Sequence, residues 1–148
     1  MADPIPSGYH TVTPYLRVTG AAEFIDFLKQ AFGANEMHRS LAPDGSIMHA
    51  DITIGDSHVM LTEGMENFPP LPGSLFLYVP DVDATYKRAI AAGATSMMEP
   101  ADQFYGDRTA GVRDPFGNEW WIGTHIEDLS AEELHRRHQQ AMKERHRT

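Results

Sequence analysis

The sequence predicts an α+β fold of two βαβββ modules, each a curved half-barrel sheet with its helix on the outer face, followed by a C-terminal helix. Three observations predict it. Strand-like alternation and helix-like spacing occur in the order β-α-β-β-β, and the order then repeats. The two helix exits carry matching letters, AFGA at Ala31–Ala34 and AAGA at Ala91–Ala94. The spacing matches as well: Val18 lies 15 residues before Gly33, and Val79 lies 14 before Gly93. Duplication of one supersecondary unit is the most economical account of all three.

The first strand is TVTPYLRV, Thr11–Val18, with Val12, Pro14, Leu16 and Val18 on one side and Thr13, Tyr15 and Arg17 on the other. Pro14 cannot donate to a ladder, which places this strand at a sheet edge or beside an irregularity. Phe24, Phe27, Leu28, Ala31 and Phe32 recur at helical spacing over Ala21–Phe32, and Gly33 stops the helix. Two strands follow around Pro43-Asp44-Gly45 and a third after Gly55-Asp56. The Pro- and Gly-rich stretch Asn67–Gly73 then separates the halves. In the second half the expected elements are a strand at Ser74–Val79, a helix at Asp81–Ala92, and strands at Thr95–Glu99, Arg108–Arg113 and Glu119–Gly123. The modules thus span about 11–66 and 74–126 within a single domain, 1–130, and 131–148 forms a surface helix. Ser130 and Glu133 make a capping-box pair at its start, and Leu129 with Leu134 a staple.

Composition narrows the function classes. The chain has 148 residues, 41% of them hydrophobic, and no cysteine, which excludes disulfides and thiolate chemistry and fits a reducing, cytoplasmic location. No apolar run is long enough to span a membrane, and the start MADPIPSGYH has no basic patch followed by an apolar stretch. The net charge is −9. Up to Ser130 there are 18 acidic and 7 basic residues, a net of −11, and beyond it 3 and 5, a net of +2. Such an acidic body repels phosphate backbones, so neither nucleic acid nor membrane is an expected partner.

A sheet covered by a helix on one face leaves the other free. In the middle strand of the first module, Met48, Ala50, Ile52 and Ile54 are expected under the helix. Ile47, His49, Asp51 and Thr53 should then point away from it, together with Tyr15, Arg17, His58, Met60 and Thr62. In the second module Phe76, Tyr78 and Trp121 take the free face. Aromatics with a few polar groups on a helix-free face suggest a small-molecule pocket or an interface rather than plain solvation.

Three segments resemble a known superfamily: VPDVDATYKRAIAAGA at Val79–Ala94, ADQFYGDR at Ala101–Arg108 and DPFGNEW at Asp114–Trp120. The family is the vicinal-oxygen-chelate superfamily of glyoxalases, bleomycin-resistance proteins and extradiol dioxygenases. TPYLRV at Thr13–Val18 and IMHADITIGDSHVML at Ile47–Leu61 look like its PhnB-like branch. The resemblance implies paired modules, a homodimer and a cleft between facing modules. Catalytic members hold a divalent metal on the first and last strands of each module. Here those positions fall on Thr13, Ser74, Met60 and Trp121, none of them a good ligand.

The expectation is therefore a glyoxalase/bleomycin-resistance-like protein that binds a small aromatic or cationic molecule without metal or other cofactor. Tyr15, Phe76, Tyr105 and Trp121 would stack, and His49, Asp51 and Arg108 would hydrogen-bond. The alternatives are a metal-dependent lyase, isomerase or dioxygenase with a divalent ion near His49, Asp51 and His58, and a metal-free enzyme with His49 as general base, oriented by Asp51. In the loop at Asp102–Arg108, Gly106 would permit close backbone approach, while Asp107 or Asp114 could pair with Arg108 instead of leaving it to a ligand. His10, which precedes the first strand, is a weaker candidate for such a metal site, and His135, His138 and His146 on the surface helix carry no expected chemistry.

Overall fold

A computed structural model describes residues 2–145. His146 lies outside the described residues. The first module contains β1 (Tyr15–Val18), α1 (Ala21–Phe32), β2 (Asn35–Leu41), β3 (Ile47–Ile54) and β4 (Ser57–Glu63). The second contains β5 (Ser74–Tyr78), α2 (Val82–Ala91), β6 (Thr95–Asp102), β7 (Asp107–Arg113) and β8 (Glu119–His125), and α3 (Ala131–Arg145) follows. Each module forms its own four-stranded mixed sheet, ordered β1-β4-β3-β2 and β5-β8-β7-β6, with the first and last strands of each module parallel. The repeated β-α-β-β-β order of the sequence is thus the observed one, and β1, which follows Pro14, is an edge strand as expected.

Local chemistry fixes the helix ends. Gly33 adopts a left-handed conformation, φ 67°, and its N–H and that of Ala34 close onto the carbonyls of Lys29 and Leu28. At the start of α1 the Glu63 carboxylate accepts from the N–H groups of Gly20 and Ala21 at 2.8 and 3.0 Å, so the last residue of β4 serves as the cap. Asp81 caps α2 through the N–H of Ala84.

α1 covers the first sheet and α2 the second, and the two helices pack on each other. Phe24, Phe27, Leu28, Ile52, Leu61, Trp120 and Ile122 are all buried in one shared core. Aromatic contacts join the halves. Phe116, from the turn before β8, lies 5.2 Å from Phe24 and 6.5 Å from Phe27, and Phe32 lies 4.9 Å from Trp120. The covered faces of both sheets therefore point into one helical layer, and their helix-free faces look away from it.

One strand departs from simple alternation. Ser40 pairs with His49 and Leu41 with Ile47, which leaves Met48 without a partner across β2. This bulge reverses the expected facing of two side chains: Ile47 is 3% exposed and joins the core, whereas Met48 is 56% exposed. Beyond the bulge, Ala50, Ile52 and Ile54 pack inward as the sequence predicts.

The tail helix starts as expected, with the N–H of Glu133 donating to the Ser130 hydroxyl at 3.1 Å. No residue of α3 is buried. Arg137, which bonds Glu127 and Glu133, and the stacking of His138 on Phe104 hold it to the body. No helix among the described residues is long and apolar enough to cross a membrane.

Candidate functional site

On the helix-free face of the first sheet the strongest polar constellation centres on Asp51, only 8% exposed. Its carboxylate accepts the Tyr9 hydroxyl, and His58 Nδ1 lies 3.0 and 3.2 Å from its two oxygens. A carboxylate can only accept, so His58 donates from Nδ1 and keeps Nε2 for another partner. The Tyr9 ring stacks on His58 with centroids 3.9 Å apart. The bond to Asp51 opposes loss of the phenolic proton and raises the Tyr9 pKa to about 12. Sequence reasoning missed Tyr9, because it precedes the first periodic segment.

His49 does not have the orienting partner expected of it. Asp51 is committed to Tyr9 and His58, so the His49–Asp51 pairing is replaced by Asp51–His58. The reason lies in strand geometry: residues two apart on one strand sit about 7 Å apart, whereas β4 brings His58 diagonally across. His49 instead lies 5.9 Å from the ring of Tyr15.

On the second sheet Phe76, Tyr78 and Trp121 share the free face, as the alternation predicts. Phe76 pairs with Trp121, and the Phe76 and Tyr78 rings lie 4.9 Å apart. Two glycines keep this surface flat. A β-carbon at Gly111 would come within 2.5 Å of the Trp121 indole, and one at Gly123 within 2.8 Å of the Phe76 ring. The rings therefore lie down on the strands and offer their faces outward. Beside them the Tyr78 hydroxyl donates to Asp107 at 2.8 Å, which raises its pKa. His125 sits between Asp107 and Asp128, with Nδ1 and Nε2 at 2.8 and 2.7 Å, and these carboxylates raise its pKa, Asp107 more than Asp128.

A groove of about 800 Å³ runs between the modules and brings together His10, Thr13, His58, Phe76 and Tyr78. Tyr15 lines a separate pocket of about 420 Å³ on the first sheet. The remaining expected residues are placed elsewhere. Arg108 grips Asp83 with two nitrogens at 2.8 and 3.0 Å and Asp102 with a third at 3.0 Å. Its fork is thus spent on pinning α2 to the β6–β7 hairpin, with Asp83 and Asp102 as partners in place of the Asp107 or Asp114 considered from sequence. Tyr105 packs edge-on against Phe104, 5.2 Å away, outside the groove. Gly106 does permit a close backbone approach, but to Glu127 of the same chain, whose N–H bonds the Gly106 carbonyl.

The four inherited metal positions fall into register in pairs. Tyr15 opposes Met60 as Phe76 opposes Trp121, and Thr13 and Ser74 each lie two residues earlier. Within one chain they do not share a hollow, because the sheets meet through their helical sides; of the four, Thr13 alone lines the groove. A threonine, a methionine, a serine and a tryptophan are a poor set for a divalent ion. Among the described residues no three His, Asp or Glu side chains converge on a possible ion site. The residues present do not fit the metal that the superfamily's catalytic members hold.

Comparison with known proteins agrees with this architecture. Residues 9–122 match the family profile described as Glyoxalase/Bleomycin resistance protein/Dioxygenase superfamily. An uncharacterised protein of Mycobacterium bovis is 37% identical over 134 residues, covering 83% of this chain and 88% of that protein. Among solved structures, TioX from Micromonospora sp. ML1 superposes with a TM-score of 0.69 at 28% identity, covering 79% of this chain and 99% of TioX. A PhnB protein from Bacillus cereus, described as a putative 3-demethylubiquinone-9 3-methyltransferase, superposes with a TM-score of 0.64 at 19% identity, covering 78% and 99%, and shares the fold. With a family match that spans most of its length and both modules, the chain belongs to the glyoxalase/bleomycin resistance protein/dioxygenase superfamily.

Proposed function

We propose that this protein binds a planar aromatic small molecule on the helix-free face of its second module, without a metal. One observation carries the reading: Phe76, Tyr78 and Trp121 form an outward-facing aromatic shelf, which Gly111 and Gly123 keep flat. Phe76 is 46% exposed and Tyr78 67%, more than large aromatics serving only a core would be. The poor ligand character of Thr13, Met60, Ser74 and Trp121 supports binding over metal chemistry. The reading includes a homodimer, as the family resemblance implies.

The test is calorimetry with a panel of planar aromatic compounds, bleomycin-type cationic ones included. Micromolar binding lost in Trp121→Ala, with the fold retained, is the expected result. Silence across the panel, or binding unaffected by Trp121→Ala and Phe76→Ala, overturns the reading.

A second reading, a metal-free enzyme, draws on the Asp51–His58 pair. A carboxylate on Nδ1 leaves Nε2 as a general base, and His58 lines the groove. A bell-shaped pH–rate profile abolished by His58→Ala but not by His49→Ala would favour it.

A further inference from the structure

Arg17 is the exception among the described arginines of this acidic chain. Arg39, Arg108, Arg113, Arg136 and Arg137 each hold a carboxylate, and Arg88 bonds the carbonyl of Gln30. Arg17 is a half-buried residue whose guanidinium has no hydrogen-bond or ion-pair partner among the described residues; it lies over the Phe68 ring, 5.7 Å from its centroid. Glu63, the nearest acid of the pocket, has both oxygens on the start of α1. A guanidinium held only by an aromatic face keeps its in-plane donors free.

Arg17 lines the pocket of about 420 Å³ together with Tyr15, Thr62, Glu63, Met65, Phe68 and Leu71. That size suits a small organic molecule. The loop forming its outer wall is fixed at both ends. Met65 and Phe68 exchange backbone hydrogen bonds at 2.8 and 3.1 Å, and the Leu71 N–H bonds the Arg17 carbonyl at 3.1 Å. An apolar, aromatic-walled cavity with one unpaired planar cation matches one ligand chemistry.

We propose that this pocket is a carboxylate-binding site that takes small acids with an aromatic body, Arg17 gripping the carboxylate through its fork while Tyr15 and Phe68 flank the ring. The site goes beyond the binding reading given above. Its residues belong to the first module, whereas Phe76 and Trp121 belong to the second, so each site can fail alone.

The test uses the full chain with 2-naphthoate, 2-naphthamide and 2-naphthylmethanol, by calorimetry and amide chemical-shift mapping. The naphthoate binds at least about tenfold more tightly than its neutral isosteres, because a charge-assisted bidentate pair is stronger than a neutral hydrogen bond. The preference weakens as salt is raised. Arg17→Gln erases the preference and Arg17→Lys keeps part of it, since an ammonium supplies charge without the fork. Trp121→Ala leaves the preference intact. Equal affinity for acid and amide overturns the proposal, as do a preference surviving Arg17→Gln, shifts confined to the second module, and no binding by any of the three. Should Arg17→Gln fail to fold, the ligand series and shift map on the wild-type chain decide the matter.

Discussion

Replacing Asp114 is the sharpest test of how the second module holds together. Its carboxylate is 4% exposed and accepts four hydrogen bonds. Oδ1 takes the backbone N–H groups of Phe116 and Asn118 at 2.8 and 2.9 Å, and Oδ2 takes the Asn118 amide at 3.1 Å and the Trp120 indole N–H at 2.8 Å. Asn118 and Trp120 are fully buried, so Asp114→Ala leaves donors that bulk water does not reach. Each orphaned buried donor costs roughly 1–3 kcal/mol. Discounting for a water entering the vacated space, the expected loss is about 4 kcal/mol. That is a large share of the roughly 5–15 kcal/mol that holds a domain folded. Asp114→Asn separates the two halves of the network. Its remaining oxygen can keep the two backbone donors, but its amide then faces the Asn118 and Trp120 donors, and the loss is about 3 kcal/mol. Urea unfolding followed by tryptophan emission and far-ultraviolet dichroism gives both numbers. A loss below about 1 kcal/mol for Asp114→Ala would refute the reasoning.

Gly111→Ala places a methyl where the Trp121 indole now lies, so the ring lifts, its emission shifts, and aromatic binding falls. The expected stability loss is about 1–3 kcal/mol, and an unchanged emission spectrum would contradict it. His125 titrates above its ordinary value of 6.5 because Asp107 and Asp128 favour the imidazolium. The stabilisation it contributes is fully present below pH 6.5 and fades as pH rises through the folded-state value. Proton resonances followed against pH show this shift, and Asp107→Asn reduces it more than Asp128→Asn. Tyr9→Phe removes one hydrogen-bond donor to Asp51 but leaves His58, so stability drops by about 1 kcal/mol. Amide exchange in the segment before β1 speeds up, and unchanged exchange there would refute the assignment of Tyr9 as its tether.

Elements governed by local pattern could be read from the sequence. The bounds of α1 follow from the spacing of Phe24, Phe27, Leu28 and Ala31 and from the left-handed Gly33, and they match residue for residue. The facing of Phe76 against Leu77, and of Trp121 against Trp120, follows from period-two alternation. Alternation failed at Met48, because a bulge depends on the partner strand as well as on the strand itself. The polar site was less legible for a similar reason. Asp51 chose His58 and Tyr9 over His49, and Arg108 chose Asp83, 25 residues away, through contacts that only the folded sheet creates. Arg17 was placed on the free face correctly, but its lack of a partner is a property of every other side chain around it.

The placement of Phe116 has a consequence for how the molecule comes apart. This ring belongs to a turn of the later half, yet it rests on Phe24 and Phe27 of the earlier half, while Phe32 reaches back to Trp120. A fragment ending after β4 would leave Phe24, Phe27 and Phe32 facing water along one side of α1. The duplicated halves thus lend each other their cores, and heat or denaturant should melt them in one all-or-none transition, even though each keeps a hydrogen-bonded sheet of its own.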